Sequence, residues 1–308
     1  MTRAVVFAYH NVGVRGLAVL LRQGVEVALV VTHNDSPGEH IWFDSVAAAA
    51  RAQNIPVVTP DDPNDPAFIA QIAALKVDFL FSFYYRLMLA PSLLATAARG
   101  AFNMHGSLLP KYRGRVPINW AIIKGETETG ATLHEMVAKP DAGRIVDQEA
   151  VSILADDHAI DVFNKVVNAA ETVLSRSLPS LLDGSAVLRP QNLSEGGYFG
   201  GRKPADGVID WADSAENIHN LVRAVSPPYP GATTTVNGMP LTITRTQRAP
   251  TQFTHNHPGM LNVSAERVIA LCGDGRMLRI VESEFEGRPH NEVMLAARLG
   301  VGVYPLGT

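Results

Sequence analysis

Only one cysteine, Cys272, occurs among the 308 residues. A single thiol cannot close an internal disulfide or build a thiolate zinc cluster, so a secretory disulfide framework is excluded and no metal site is expected. Long apolar runs are missing too. No stretch approaches the roughly 20 residues that a membrane helix needs, and the run at residues 4–8 meets Tyr9, His10 and Asn11 before it reaches signal-peptide length. A soluble, cytoplasmic protein without a membrane span is expected. An excess of positive charge is also lacking: 26 Lys+Arg oppose 30 Asp+Glu, a net charge of −4. No lysine follows Lys203, and in residues 204–308 eight arginines face ten acids. A surface that grips nucleic acid carries the opposite balance, so nucleic acid is not an expected partner. With 46% hydrophobic residues, the chain has ample material for a large core.

The first third of the chain alternates short apolar runs with longer amphipathic ones, the texture of βα units around a parallel sheet. Strands are predicted at residues 4–8, 25–32, 55–58, 77–83 and 101–104, and helices at 16–23, 45–53 and 65–75. Two further strands, 131–138 and 144–153, flank the turn Lys139-Pro140-Asp141-Ala142-Gly143. Asp156 or Asp157 is placed to cap a long helix whose apolar positions run from Ile160 to Leu181, and Gly184 is placed to end it. Residues 191–207 are glycine-rich and aperiodic and read as a linker crossing a surface. Beyond them, short β-prone pieces at 233–236, 241–246, 268–272 and 278–282 indicate a small barrel or sandwich. The expected class is α/β, with a first domain over residues 1–203, linker included from about 191, and a C-terminal β domain over 204–308.

Several familiar sites are absent. Residues 9–16 place Gly13 and Gly16 behind a strand but lack the full dinucleotide fingerprint, and no phosphate loop with its lysine occurs. His255 and His257 stand two apart in a loop-like stretch and read as surface residues rather than ligands. The segment Phe102-Asn103-Met104-His105-Gly106-Ser107-Leu108-Leu109-Pro110 is different in kind. If its start is extended, alternation puts Asn103 and His105 on one face at the end of a sheet. An imidazole exchanges protons near neutral pH, and a carboxamide can donate to a developing oxyanion. A carboxylate at Asp141 can orient such a histidine and favour its charged form. Each residue alone also fits a structural role: a histidine bonded to a loop carbonyl, and an asparagine and an aspartate that make turns. Tyr84, Tyr85 and Arg86 end the 77–83 strand, where open α/β sheets place their ligand crevice, and they fit half-buried strand-end residues equally well.

The ordered set Asn103-Met104-His105-Gly106-Ser107-Leu108-Leu109-Pro110, Arg113-Gly114-Arg115, Pro117, Gly130-Ala131-Thr132 and Asp141-Ala142-Gly143 resembles the core of the formyltetrahydrofolate-dependent formyltransferases. Tyr9-His10, Ser82-Phe83-Tyr84-Tyr85-Arg86, Lys111-Tyr112, Asn119-Trp120, the run from Gly125 to Gly130, and Phe199-Gly200-Gly201-Arg202 are similar to one subgroup. It is the formyltransferase part of the bifunctional polymyxin-resistance proteins. The resemblance implies a Rossmann-like parallel-sheet catalytic domain followed by a small OB-like β-barrel. It implies 10-formyltetrahydrofolate as co-substrate and UDP-4-amino-4-deoxy-L-arabinose, a UDP-linked amino sugar, as the amine acceptor, in lipid A modification and polymyxin resistance. Its catalytic residues would be Asn103, His105 and Asp141. Leu87, Met88 and Leu89 would line the pterin pocket with Val137, Ala138, Lys139 and Pro140, and Arg115 would contact the nucleotide sugar or the folate side of the cleft. A separate decarboxylase is an implied partner, since nothing in the chain resembles that enzyme. Methionyl-tRNA formyltransferases share the core motif, but the charge balance argues against a tRNA acceptor. Formyltransferases for other nucleotide-linked amino sugars, glycinamide ribonucleotide formyltransferases and a non-catalytic folate- or nucleotide-binding module are the remaining alternatives.

Overall fold

The apolar runs at 4–8 and 79–83 become strands β1 (Arg3–Ala8) and β4 (Phe79–Phe83) of a computed structural model, which describes residues 1–36, 38, 40–252 and 258–307. His255 and His257 lie outside the described residues. Val5, Val6, Phe7, Leu80, Phe81 and Phe83 have no exposed surface, as continuous apolar strands covered on both faces require. The other strands of this part are β2 (Glu26–Val31), β3 (Val57–Val58), β5 (Gly100–His105), β6 (Arg113–Gly114), β7 (Glu128–Glu135), β8 (Ile145–Ser152) and β9 (Tyr198–Phe199). One seven-stranded sheet has the order β3-β2-β1-β4-β5-β7-β8. Its first five strands run parallel, and β7 is antiparallel to β5. The order reverses between β1 and β4, so the crevice of an open α/β sheet falls beyond their carboxyl ends.

Helices α1 (His10–Arg22), α2 (Val46–Ala52), α3 (Pro66–Ala74), α4 (Pro91–Leu94), α5 (Pro117–Ile123) and α6 (Ala159–Asp183) accompany these strands. The first begins at His10, earlier than the apolar spacing indicates, because Gly13 and Gly16 interrupt that spacing. Both glycines nevertheless lie at a tight contact. A Cβ on Gly16 would sit 2.6 Å from the Phe83 ring, and one on Gly13 would sit 2.8 Å from Val46 Cγ2. The Asp65 side chain caps α3 by accepting from the Ala67 and Phe68 amides. Before α6, Asp157 accepts from the Leu154 amide, and Asp161, inside the first turn, accepts from the amide of His158. Gly184, at φ +83°, follows the last residue of the helix.

Two compact units divide the chain: Met1–Pro117, Thr129–Val151 and Asn164–Gly200 form one, and Ile118–Glu128, Ser152–Phe163 and Gly201–Thr308 the other. In the second, helix α7 (Ala215–Val225) gathers the two early segments. Asn119 donates to the Ala224 carbonyl at 2.7 Å, and Arg223 donates to the carbonyls of Leu154 and Asp157. The buried side of α7 includes His219, Asn220 and Arg223, which dilute the apolar periodicity that would have marked it as a helix.

The rest of this unit comprises β10 (Ala232–Val236), β11 (Met239–Gln252), β12 (Met260–Val263), β13 (Val268–Leu271), β14 (Arg276–Phe285), β15 (Arg288–Asn291), α8 (Glu292–Leu299) and β16 (Gly302–Gly307). Strand β11 pairs with both β10 and β14, so β10-β11-β14-β13-β12-β16 closes into a six-stranded barrel, with β15 attached to β14. Closure leaves no unpaired edge in the ring. Ile243, Leu261, Val268, Ala270, Leu278 and Ile280 are buried in its core. The small β domain expected from the sequence is thus a closed barrel rather than a sandwich. No described helix is long and apolar enough to cross a membrane.

Replacing Gly16 with alanine improves local helix propensity by about 1 kcal/mol but drives a methyl group into the Phe83 ring. The overpacking dominates, and we expect G16A to lose about 1–3 kcal/mol of stability. Urea unfolding checks this, and an unchanged or raised midpoint would contradict it.

Candidate active site

Asn103 and His105 project from one face of β5, as strand alternation requires. The antiparallel register pairs Asn103 with His134 and His105 with Thr132 on β7. After β7 the chain turns back through Lys139-Pro140-Asp141-Ala142-Gly143. A Cβ at Gly143 would collide with the Glu135 carbonyl, so the turn lies flat against the strand end. Asp141 itself adopts φ +50°, a left-handed conformation that a β-carbon makes uncommon.

That turn delivers the Asp141 carboxylate between two imidazoles. Its Oδ1 lies 3.6 Å from His105 Nδ1 and 3.4 Å from His134 Nε2, while Oδ2 accepts from the Gly114 amide at 2.8 Å. The side chains of His105, His134 and Asp141 are 7%, 2% and 14% exposed, which keeps the cluster largely out of bulk water. Nε2 of His105 donates to the Tyr112 carbonyl, and Nδ1 of His134 donates to the Glu135 carbonyl, each at 2.8 Å. The Asn103 amide nitrogen lies 3.1 Å from His134 Nε2. Burial pushes the Asp141 carboxyl upward, but His105, His134 and the Gly114 amide together outweigh it. They hold the group well below the usual carboxylate range.

Side chains of β7 and β8 fix the loop behind His105. Thr132 Oγ1 donates to the Ser107 carbonyl and accepts from the Leu109 amide, while Gln148 Nε2 donates to the Leu109 carbonyl. Ser107 Oγ donates to the Lys111 carbonyl at 2.6 Å. Gly106 has no room for a Cβ because the Tyr84 hydroxyl lies against it. Side chains at the ends of β4 and β5 are thereby brought together.

Aromatic rings gather beyond the carboxyl ends of β1, β2 and β4. His10 stacks on Phe43 at 3.9 Å between centroids and meets Trp42 edge-on. His33 stacks on Tyr85 at 4.1 Å, and the Arg86 guanidinium lies 4.4 Å above the Tyr9 ring. The Tyr85 hydroxyl is buried with no hydrogen-bond partner among the described residues, and burial, with Asp62 nearby, pushes it up to about 12. Arg115 is exposed and donates to the Arg86 carbonyl at 2.9 Å.

Of the other residues singled out in the sequence, Leu87 and Met88 are exposed, whereas Leu89 packs into the core with Phe7, Leu80 and Leu93. Val137, Ala138 and Lys139 are exposed on the way into the Asp141 turn, with Pro140 half-buried. Those exposed segments offer apolar side chains and backbone groups to a ligand. His134 was not among the residues singled out. Its signal was a lone imidazole in the apolar run Ala131-Thr132-Leu133-His134, but only strand register brings it to Asn103 and Asp141.

The geometry makes the Asp141 carboxylate resistant to protonation. By carbon-detected NMR it should remain ionised at about pH 3, roughly a unit below an ordinary aspartate. Replacing His134 with glutamine removes one of the groups that depress it and should raise the midpoint. An Asp141 that titrates like a surface aspartate would contradict this account of the cluster.

Comparison with known proteins agrees with the architecture. Residues 17–178 match the Formyl transferase family, and residues 202–294 match the Formyl transferase C-terminal domain. Among solved structures, the fold is similar to an N-formyltransferase from Helicobacter canadensis in complex with folinic acid and dTDP-3-aminofucose. That likeness has a TM-score of 0.72 at 21% identity and covers 91% of this chain and 99% of the other. WlaRD, a sugar 3N-formyltransferase determined in the presence of dTDP and 5-N-formyl-THF, has the same TM-score at 20% identity, covering 94% and 99%. HypX from Aquifex aeolicus in complex with tetrahydrofolic acid matches with a TM-score of 0.64 at 18% identity, covering 96% of this chain and 46% of that one. With a catalytic-type domain and a C-terminal barrel that both match, the chain belongs to the formyl transferase family.

Proposed function

We propose that this protein transfers the formyl group of 10-formyltetrahydrofolate to the primary amine of a nucleotide-linked amino sugar. The observation that carries this reading is the convergence of Asn103, His105 and Asp141 in one largely buried cluster at the sheet's carboxyl end. The sugar amine attacks the formyl carbon, the carbonyl oxygen takes up negative charge, and the bond to the folate N10 breaks as that nitrogen regains a proton. One N–H of the Asn103 amide faces His134, and the other donates to the oxyanion. His105 moves the proton from the attacking amine to the leaving nitrogen. Its Nδ1 faces Asp141, so Nε2 is the exchanging atom: once substrate displaces the Tyr112 carbonyl, the Nε2 proton passes to the leaving nitrogen and the proton of the attacking amine replaces it. Asp141 orients the ring and stabilises the imidazolium.

The half-buried rings of His33, Trp42, Phe43 and Tyr85, backed by the buried Tyr9 and His10, offer flat surfaces to a nucleobase, and the guanidinium groups of Arg86 and Arg115 suit a diphosphate. The dTDP-3-aminofucose in complex with the similar N-formyltransferase, and the dTDP present with the similar sugar 3N-formyltransferase, support the same acceptor class. The finer reading takes UDP-4-amino-4-deoxy-L-arabinose as acceptor, lipid A modification as the role and a separate decarboxylase as the partner. It rests on the subgroup resemblance of the sequence. Leu87, Met88 and residues 137–140 would receive the pterin.

Turnover should fall about 10²- to 10³-fold in N103A and about 10²- to 10⁴-fold in H105A and D141A, with folding intact. H105A with near wild-type turnover would remove the assignment. Mass spectrometry of products decides the acceptor when 10-formyltetrahydrofolate is supplied with UDP-4-amino-4-deoxy-L-arabinose, with dTDP-linked amino sugars or with methionyl initiator tRNA. We expect a formyl adduct on a nucleotide sugar; formylation of the tRNA alone would overturn this reading.

A further inference from the structure

Residues 191–199, which the sequence presents as a linker, lie across the back of the candidate site. β9 pairs in parallel with β6, and the amides of Arg113 and Arg115 donate to the carbonyls of Gly197 and Phe199. Gly114, whose amide binds the Asp141 carboxylate, has no room for a Cβ because the Phe199 carbonyl lies against it. Tyr112, whose carbonyl accepts from His105, stacks on the Phe199 ring at 5.0 Å. The buried Arg113 guanidinium donates to the carbonyls of Leu193 and Gly196. Both partners that tether the His105–Asp141 pair to the Tyr112–Gly114 segment are thus held by this strap.

At the start of the strap, one amide group reaches the catalytic turn itself. Gln191 Nε2 donates to the Asp141 carbonyl at 3.0 Å and to the Gly143 carbonyl at 2.6 Å. It ties the two sides of a five-residue turn whose central aspartate sits at φ +50°. A left-handed non-glycine residue persists only when its surroundings hold it there. Without the two donors the turn can relax toward an extended conformation, and the carboxylate then leaves the imidazoles and the Gly114 amide. Displacements of about 1 Å at a reacting centre are enough to cost about 10²-fold in rate.

We infer that Gln191 is a positioning residue for formyl transfer, acting through the Asp141 turn, with the strap at 191–199 as its support. The inference rests on the catalytic role proposed for Asp141. Leucine at 191 keeps much of the side-chain volume and removes both donors. Glutamate keeps the shape, removes the donors and turns acceptors toward two carbonyls.

In Q191L and Q191E, kcat should fall about 10-fold or more, while KM for the acceptor stays within about twofold. The Asp141 carboxyl should titrate at higher pH by NMR in Q191L, a change that loss of general stability would not produce in a folded protein, whereas in Q191E the added carboxylate raises it by charge alone. In a D141A background, adding Q191L should cost nothing further, since a residue that acts through Asp141 has nothing left to position. Wild-type kcat in Q191E, an unmoved Asp141 titration in Q191L, or an equal loss in the D141A background would each overturn the inference. If Q191L does not fold, kcat of Q191E, alone and in the D141A background, decides the matter. A fully active D141A would be a separate result, removing the catalytic reading of Asp141 itself.

Discussion

A carboxylate held ionised between two imidazoles is the constraint around which the first unit is arranged. Taking an aspartate out of water is unfavourable, and here Asp141 is compensated from three directions by His105, His134 and the Gly114 amide. None of the three is adjacent to it in sequence. They arrive on β5, β7 and β6, so the cluster forms only when these strands and their connecting turns are in register. The pinning of residues 106–112 by Thr132 and Gln148, and the close approach of the turn at Gly143, follow from the same need for a fixed position. A group that stabilises a charge in a transition state gains most when it does not have to reorganise.

The sheet supplies the place for such a cluster. Its central strands are buried on both faces, which fixes their carboxyl ends rigidly, and the reversal of order at β1 and β4 opens space between the loops that follow them. Aromatic rings and a guanidinium group gather beyond those carboxyl ends. The second unit is built on a different principle. Its barrel closes through the double pairing of β11, and buried polar groups on α7 take the carbonyls of segments contributed from much earlier in the chain. Arg223 provides two of these hydrogen bonds with one guanidinium.

Much of this was legible beforehand. Continuous apolar runs identified the buried parallel strands, and alternation correctly placed Asn103 and His105 on one face. The turn chemistry around Asp141 was evident as well. His134 and Gln191 were not, because their importance lies in what stands opposite them. His134 becomes relevant through the β5–β7 register, and Gln191 through a turn 50 residues away in sequence. The early start of α1 was hidden by Gly13 and Gly16, whose value is the close helix-to-sheet packing that only the folded chain displays.

The sequence by itself determined the α/β class, the presence of a β-rich C-terminal part, and the residue types available for acyl-transfer chemistry. Hydrophobic periodicity and turn composition are local properties, so they are readable along the chain. Tertiary structure alone decided that residues 191–199 of the glycine-rich stretch pair as a strap, that segments 118–128 and 152–163 belong with the barrel, and that a second histidine shares the carboxylate. Those outcomes depend on hydrogen bonds and charge contacts between residues distant in sequence, and no local pattern encodes which partner a buried donor or acceptor will meet.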